Sequence, residues 1–393
     1  MRNAALGTII ILSLFSIKVA VGIISGLVSH YLMNDQTDIH FYNLQSIIEY
    51  ENLIHNPKIF FTDSLPSAYQ NGLGDFFGSY KSFWNDLRNN ILIKSMGVFN
   101  ILSRGNNAIN SLFFNFGGFI GHIALYRVFI DIYPKQKWSV ILGCFLLPST
   151  LYFTSCIGKD IIVFTALSIF CYCLYFGLKE NFTKKRIIFL IVSFLAILLI
   201  RNFIAAILLP CAAAWFISVK FKMKPVKVFA SLIVGAFMFV LLAQFLPSKY
   251  NPLQIIVSKQ KAFLFSRIAK SQYHNDTLEL NIKSFARATP SALRHSFLSP
   301  YPTEFNNIYL NAFATELIFF LLLFAVSFLY PIKKEIDSFI IYGIVLASLI
   351  FLFTGYITTN AGALVRYRSI YLPFLMVPIL CGIDWQRILK GKE

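Results

Sequence analysis

The sequence predicts an all-α, polytopic membrane protein, and its composition carries most of this prediction. Only 13% of its 393 residues are charged, whereas a soluble domain averages about 25%. The hydrophobic share is 57% and includes 42 phenylalanines. Apolar runs near the roughly 20 residues that cross a bilayer as a helix recur along the chain. They do not alternate in polarity, as barrel strands of about 10 residues would. The composition therefore excludes a soluble globular protein.

These apolar runs predict ten membrane-spanning helices, at 5–30, 107–131, 138–155, 161–178, 187–200, 203–219, 228–246, 310–330, 338–356 and 367–384. The run at 5–30 is too long for a cleaved signal peptide, and no small-x-small site precedes "HYLMND". It is therefore expected to remain as an anchor. Only Arg201-Asn202 separates 187–200 from 203–219, so this pair could instead be re-entrant or form one bent helix.

The basic residues predict the orientation in the membrane. With the amino terminus in the cytoplasm, the inner segments hold sixteen Lys and Arg residues, while the short outer loops hold four. Those four are Lys159, Arg201, Arg366 and Arg368. This positive-inside bias predicts an integral protein of the cell (inner) membrane with both termini cytoplasmic. Because orientation accounts for most of the net charge of +17, no nucleic-acid partner is expected.

Two long segments, 31–106 and 247–309, fall on the predicted outer side. Neither has the pattern of a separate soluble domain, so residues 1–393 are expected to form a single membrane domain. In the first segment, 39–54 and 89–102 place apolar residues close to one face, which is typical of helices that lie in the headgroup plane. Both outer segments are therefore predicted to carry amphipathic interfacial helices.

Two acids open the first outer segment, within "NDQTDIHFY". Asp35 and Asp38 would share one face of a helix. A carboxylate at the boundary between water and lipid can take a proton from an attacking hydroxyl as a general base. The same two acids could hold a divalent metal through oxygen ligands. As an alternative, Asp35 or Asp38 caps the helix predicted at 39–54.

The remaining polar residues near the outer helix ends are candidates for binding the substrate. They are Arg366, Arg368, Arg201, Lys159, Tyr42, Tyr367 and Glu316. A charge at the bilayer centre costs about 2.5–3.5 kcal/mol on insertion scales, so a cluster of charges on one side indicates a site. Arginine matches phosphate bidentately, which predicts an anionic lipid headgroup or a lipid-linked diphosphate as the ligand. Boundary residues that snorkel and ordinary phospholipid contact are the alternatives.

Four short patches carry a resemblance to known membrane enzymes: "NDQTDIHFY", "LPSTLYFTSCIGKD", "LLIRNFIAA" and "NAGALVRYRSIYLPFL". The first resembles the outer loop of the GT-C class of polyprenyl-phosphate-dependent integral-membrane glycosyltransferases. The others are similar to stretches of O-antigen-polymerase-like polysaccharide assembly proteins. In the GT-C class an acid of this loop is the catalytic base or a metal ligand, so the resemblance implies that role for Asp38 or else for Asp35. It also implies a GT-C-like fold. The class often has adjacent acids where this chain has D-x-x-D.

Three functions are compatible with these residues. The first is transfer of a sugar or glycan repeat from a polyprenyl-(di)phosphate donor to a glycan or lipid acceptor on the outer face, in polysaccharide or glycolipid assembly. Asp38 would act as base, and the cations would stabilise the departing phosphate. The second is a transporter or flippase of a lipid-linked or anionic substrate. The third is a non-catalytic partner in an envelope complex. The residues call for no particular cofactor, although Asp35 and Asp38 could hold a divalent metal.

Overall fold

The computed structural model of the chain describes residues 6–31, 37–62, 83–243, 245, 251, 253–265, 271–273, 277–305, 307–332 and 335–390. Across these ranges the fold is all-α. Eight of the described helices are long and apolar enough to cross a membrane. The chain is therefore a polytopic helical membrane protein, as its composition predicts.

The described helices are seventeen in number and are labelled here in chain order. They are α1 (Thr8–Tyr31), α2 (Asp38–His55), α3 (Pro57–Thr62), α4 (Phe83–Ser103), α5 (Asn107–Ile132), α6 (Lys137–Phe145), α7 (Pro148–Phe153), α8 (Lys159–Lys179), α9 (Lys184–Ile200), α10 (Asn202–Lys220), α11 (Pro225–Ala243), α12 (Leu253–Phe265), α13 (Ile282–Leu298), α14 (Ile308–Leu329), α15 (Ser338–Ile357), α16 (Ala361–Gly382) and α17 (Trp385–Lys390).

Eight of the ten predicted spans coincide with the eight long apolar helices, which are α1, α5, α8, α10, α11, α14, α15 and α16. The span predicted at 138–155 is not one helix, because α6 ends at Phe145 and α7 begins at Pro148. Proline lacks the N–H that would continue the helix, and it disfavours helical backbone in the residue before it.

The predicted spans 187–200 and 203–219 correspond to two helices. Helix α9 has 17 residues and ends at Ile200, and α10 begins at Asn202. The alternative of one bent helix is therefore wrong, since Arg201 lies between two separate helices. The re-entrant arrangement and the total of ten spans stay predictions.

Exposed apolar side chains indicate which surfaces face lipid. Helix α11 buries only Val228, Phe229 and Ala243, and its remaining surface is nearly all apolar. Val234 and Phe237, for example, are 61% and 59% exposed. Soluble proteins rarely expose so large an apolar patch to water, so a lipid bilayer is the environment that fits this helix.

The described helices form two compact units. Unit 1 comprises residues 1–127, 151–173 and 184–202, and unit 2 comprises 128–150, 174–183 and 203–393. Each unit has its own packed interior.

In unit 1, α2 and α4 pack closely side by side. A Cβ atom added to Gly97 would lie only 3.2 Å from the Cβ of Glu49, and the Lys94 ammonium pairs with the Glu49 carboxylate at 3.3 Å. The helices predicted near 39–54 and 89–102 are confirmed as helices. Their placement in the headgroup plane stays a prediction.

In unit 2, α13 lies against α15 at a point where only glycine fits. A Cβ atom added to Gly355 would lie within 3.0 Å of three backbone atoms of Ala292. The phenol of Tyr356 contacts the hydroxyl of Thr289 at 2.6 Å, and the rings of Phe297 and Phe351 meet edge to face at 5.1 Å. This packing holds a helix of 17 residues that is not among the eight long apolar helices.

Candidate functional site

The strongest candidate site is a cleft of about 540 Å³ in unit 2, a size typical of ligand pockets. We call it the α13 cleft. Its lining residues come from α13 and from the chain on either side of that helix: Gln272, Tyr273, Pro290, Ser291, Arg294, His295, Glu304 and Phe305.

Local sequence explains how α13 presents the cleft residues. Asn281 caps the helix, because its side chain accepts a hydrogen bond of 2.7 Å from the backbone N–H of Ser284. The buried residues Phe285, Ala288, Ala292 and His295 follow at helical spacing. His295 is thus the polar end of a buried stripe.

A short backbone pairing fixes the far wall of the cleft. The N–H of Tyr273 donates to the carbonyl of Thr359 at 2.7 Å, and the N–H of Ala361 donates to the carbonyl of Ser271 at 3.0 Å. Thr359 lies in the connection between α15 and α16. The cleft therefore lies near the connection between the two long helices.

Two aromatic side chains form the buried floor of the cleft. The rings of Tyr273 and His295 lie 4.1 Å apart, and their exposed fractions are 6% and 8%. The Nδ1 atom of His295 is buried and makes no hydrogen bond within the described part of the chain. It is a buried polar atom of a residue that lines the cleft, and it is suited to accept a proton or donate to a ligand.

The electrostatics of the floor favour a neutral imidazole. Burial lowers the pKa of His295, the neighbouring Glu304 carboxylate raises it, and the Arg294 guanidinium lowers it. Burial also favours the neutral form of Tyr273, because it raises the pKa of the phenol, and the Glu304 carboxylate raises this pKa further. A neutral histidine near pH 7 can serve as a general base.

Glu304 and Arg294 stand beside this floor. A carboxylate oxygen of Glu304 accepts a hydrogen bond of 2.9 Å from the N–H of Tyr301, and the guanidinium of Arg294 lies 5.4 Å from the Tyr301 ring centroid. Arg294 is exposed, as are Lys283 and Arg287 on the same helix. The cleft itself is lined by one cation, Arg294, and one anion, Glu304.

Arg368, a predicted substrate-binding residue, binds the carboxyl end of α13, the helix that lines the cleft. It is 6% exposed, and it donates to the carbonyl oxygens of Ser296 and Ser299 at 3.5 and 2.8 Å. It also attracts the carboxylate of Glu316, which accepts a hydrogen bond of 2.8 Å from the N–H of Ser149. The structure thus brings two predicted residues, Arg368 and Glu316, into one buried network.

The other two predicted residues of α16 are partly exposed. Arg366 has an interaction partner of its own. The Tyr367 ring lies 6.5 and 6.4 Å from those of Phe203 and Phe263, so it belongs to an aromatic cluster.

Among the predicted site residues of unit 1, Asp38 and Tyr42 lie on the first turns of α2. Thr37 is the N-cap of this helix, since its hydroxyl accepts from the N–H of His40. The prediction that Asp38 is the cap is therefore wrong, because Asp38 is the first helical residue and its side chain is exposed. Tyr42 is buried, and the Lys159 ammonium lies 5.6 Å above its ring.

Arg201 forms a buried ion pair with Asp160 in unit 1, with side chains only 7% and 5% exposed. Lys159 also donates to Asn89 at 2.5 Å. Both predicted phosphate-binding cations of this unit are thus engaged with protein groups, and a phosphate would have to compete with Asp160 for Arg201.

Asp35 lies outside the described residues, so its predicted role as base or metal ligand stays a prediction. Within the described ranges, no group of three or more His, Cys, Asp or Glu side chains could hold a metal ion. A metal on Asp35 and Asp38 remains a prediction.

Sequence reasoning missed the cleft residues Tyr273, Arg294, His295 and Glu304. One signal was available: between residues 282 and 298 the small and apolar residues recur at helical spacing, with Lys283, Arg287 and Arg294 on the other side. The contacts of Tyr273 and Glu304 with this helix had no local signature.

Comparison with protein-family models, with curated proteins and with solved structures finds no match for this chain. What the fold and the site define is a class, an integral membrane protein built of helices with a cleft in unit 2 that is lined by His295, Arg294 and Glu304.

Proposed function

We propose that the protein is an integral-membrane glycosyltransferase, which moves a sugar or glycan repeat from a polyprenyl-(di)phosphate carrier to an acceptor hydroxyl on the extracytoplasmic face. The observation that carries this proposal is the α13 cleft, where a buried imidazole with an unbonded Nδ1 lies next to an exposed guanidinium.

The transfer needs a base, and His295 is the candidate that the cleft offers. The acceptor oxygen attacks the anomeric carbon, and its proton passes to Nδ1 of His295. The bond between that carbon and the phosphate oxygen breaks, and its electron pair leaves with the carrier phosphate. Glu304 lies close enough to attract the imidazolium that forms. Asp38, the base implied by the resemblance to the GT-C class, is the rival candidate.

The departing phosphate needs positive charge, and Arg294 is placed to provide it. A guanidinium can bind two phosphate oxygens at once, and Lys283 and Arg287 extend the positive surface along α13. Because the cleft lies near the connection between α15 and α16, a carrier headgroup could enter it while its tail stays in lipid.

The protein in detergent micelles, supplied with a panel of radiolabelled polyprenyl-phosphate and polyprenyl-diphosphate sugars, tests this function. We expect His295→Asn to lower transfer about 10²–10⁴-fold, the usual contribution of a general base. His55→Asn, at a histidine whose side chain is 72% exposed, should leave transfer unchanged. Loss of transfer in Asp38→Asn, with full transfer in His295→Asn, would identify Asp38 of unit 1 as the base. Absence of transfer from every donor by folded protein would overturn the function.

A transporter or flippase is the second candidate, because the charged side chain of Lys18 is buried inside a membrane span. Lys18 of α1 is 1% exposed and contacts His122 of α5, and intramembrane charges often mark transport pathways. Movement of an unmodified lipid-linked sugar across proteoliposomes would favour this function over transfer.

A further inference from the structure

The feature that the proposed transferase does not use is the buried amine of Lys18. It lies near the middle of α1, an apolar span of 24 residues, and it is 1% exposed. A lysine near the end of a span can snorkel to water, but this side chain turns into unit 1 instead. A charge at this depth requires polar partners, and its partners identify what kind of site surrounds it.

Three oxygen atoms surround the Lys18 ammonium. Its Nζ atom lies 2.5 Å from the carbonyl oxygen of Thr154, 3.2 Å from the hydroxyl of Thr154 and 3.3 Å from the hydroxyl of Ser155. Nε2 of His122 lies at 3.3 Å. Thr154 and Ser155 directly follow the end of α7, where carbonyl groups leave the hydrogen-bond ladder of the helix.

Glycines shape the space around this cluster. A Cβ atom on Gly22, one turn beyond Lys18, would lie 2.9 Å from the carbonyl oxygen of Ser155. A Cβ atom on Gly118 of α5 would lie 3.3 Å from Cε of Lys18. The absence of both side chains lets α1 approach the end of α7 closely, so the oxygen atoms and the amine are held together by the packing of the helices.

We propose that the carbonyl and hydroxyl of Thr154 and the hydroxyl of Ser155 form a buried site for a monovalent cation, which Lys18 fills with its own ammonium group. Carbonyl oxygens at the carboxyl end of a broken membrane helix are suited to a monovalent cation. An ammonium group is close in size to K⁺, so the oxygen atoms that bind the Lys18 ammonium could bind K⁺ in its place. His122 contributes a neutral nitrogen when its ring proton is on Nδ1.

A tethered cation has a consequence for function that is independent of the proposed transferase. The site is satisfied without an ion from solution, so this cluster gives the protein no dependence on an ion gradient. The buried charge of Lys18, which favours a transporter, then has a structural role, because it links α1 to the end of α7.

Removing the amine and offering free cations tests the site. Lys18→Ala protein in detergent micelles should melt at a lower temperature than wild type in choline chloride. Its midpoint should rise by several degrees, saturably, when NH₄⁺ or K⁺ replaces choline at constant ionic strength. Wild-type protein should melt at the same temperature in all three salts, because its site is already filled.

Two double variants separate the site from a general salt effect. Adding Thr154→Val removes one ligand oxygen at nearly constant shape and should abolish the response to NH₄⁺. Adding Ser25→Ala, at a buried serine whose hydroxyl bonds to the carbonyl of Gly22 at 2.7 Å, should preserve it.

Equal midpoints of Lys18→Ala in choline, NH₄⁺ and K⁺ would overturn the proposal, as would a response that survives Thr154→Val. Failure of both Lys18→Ala and Lys18→Met to fold in every salt would also overturn it, because a true cation site must accept the free ion. Sugar transfer is not a readout here, so the proposed function stands or falls separately.

Discussion

The guanidinium of Arg368 in α16 donates a hydrogen bond of 2.8 Å to the carbonyl oxygen of Ser299, the residue that ends α13. Arg368 thereby satisfies a carbonyl that the helix leaves without an intrahelical partner, and it ties the cleft-bearing helix to the last long apolar helix of unit 2.

Replacing Arg368 with methionine should therefore loosen α13. A hydrogen bond to a charged group contributes about 1.5–3 kcal/mol, and we expect a loss of stability of that order in thermal unfolding in detergent. Arg287→Met, at an exposed arginine of the same helix, is the control and should change stability by less than about 0.5 kcal/mol. Equal losses in the two variants would show that the contact with Ser299 contributes nothing.

The contact between Gly355 and Ala292 predicts opposite effects of the same substitution at two glycines. Gly355→Ala places a methyl group against the backbone of α13 and should destabilise unit 2 by about 1–3 kcal/mol through overpacking. Gly235→Ala, in α11 where nothing lies within 4 Å of the added atom, should stabilise its helix by roughly 0.5–1 kcal/mol. Melting midpoints of the two variants should shift in opposite directions, and a shift of the same sign would contradict the close packing.

The buried pair of Asp160 and Arg201 predicts a strongly asymmetric response. Asp160→Asn leaves a buried guanidinium without its counter-charge and should cost about 3–5 kcal/mol, whereas replacing both residues with leucine should cost much less. Glu51→Gln, which breaks an exposed pair with His55, should cost at most about 1 kcal/mol. Thermal unfolding of the four proteins, wild type included, measures this order, and a mild effect of Asp160→Asn would contradict the burial of the pair.

The lowered pKa of His295 predicts how stability depends on pH. Its folded value lies below the ordinary 6.5, so as pH falls below 6.5 the unfolded chain binds a proton that the folded protein does not. Stability should therefore decrease from pH 6.5 downward until the folded pKa is passed. His295→Gln should remove this part of the decrease, as measured by melting midpoints between pH 7.5 and about 5.

The charges around His295 should shift its pKa in opposite directions. Glu304→Gln removes the group that raises this pKa and should lower it further. Arg294→Gln removes a group that lowers it and should raise it. Nuclear magnetic resonance of ¹⁵N-histidine protein follows the imidazole directly, with Arg287→Gln as the control. Unchanged titration in both variants would show that the cleft charges do not reach His295.

The spans could be predicted because apolar length is a local property of the sequence. Nine of the ten runs are helices near the expected positions, and eight of these helices are long and apolar enough to cross a membrane. The exception is the run at 138–155, which is divided into two helices at Pro148. Proline has no N–H to continue a helix, and hydrophobicity alone does not reveal such a break.

The cleft could not be predicted because its residues meet through tertiary pairing. Tyr273 reaches the floor because its N–H bonds to Thr359, 86 positions further along the chain. Likewise, the sequence identified Arg201 as a cation but gave no indication that Asp160 neutralises it, since the two are 41 positions apart.

The seating of α13 against Gly355 has a consequence for biogenesis. The ribosome synthesises α13 before α15 and α16, so its docking surface does not exist when it emerges. His295 therefore stays in contact with water or lipid until α15 and α16 have been synthesised and have packed against α13. A chain that stops short of that point would insert most of its spans and still lack the cleft.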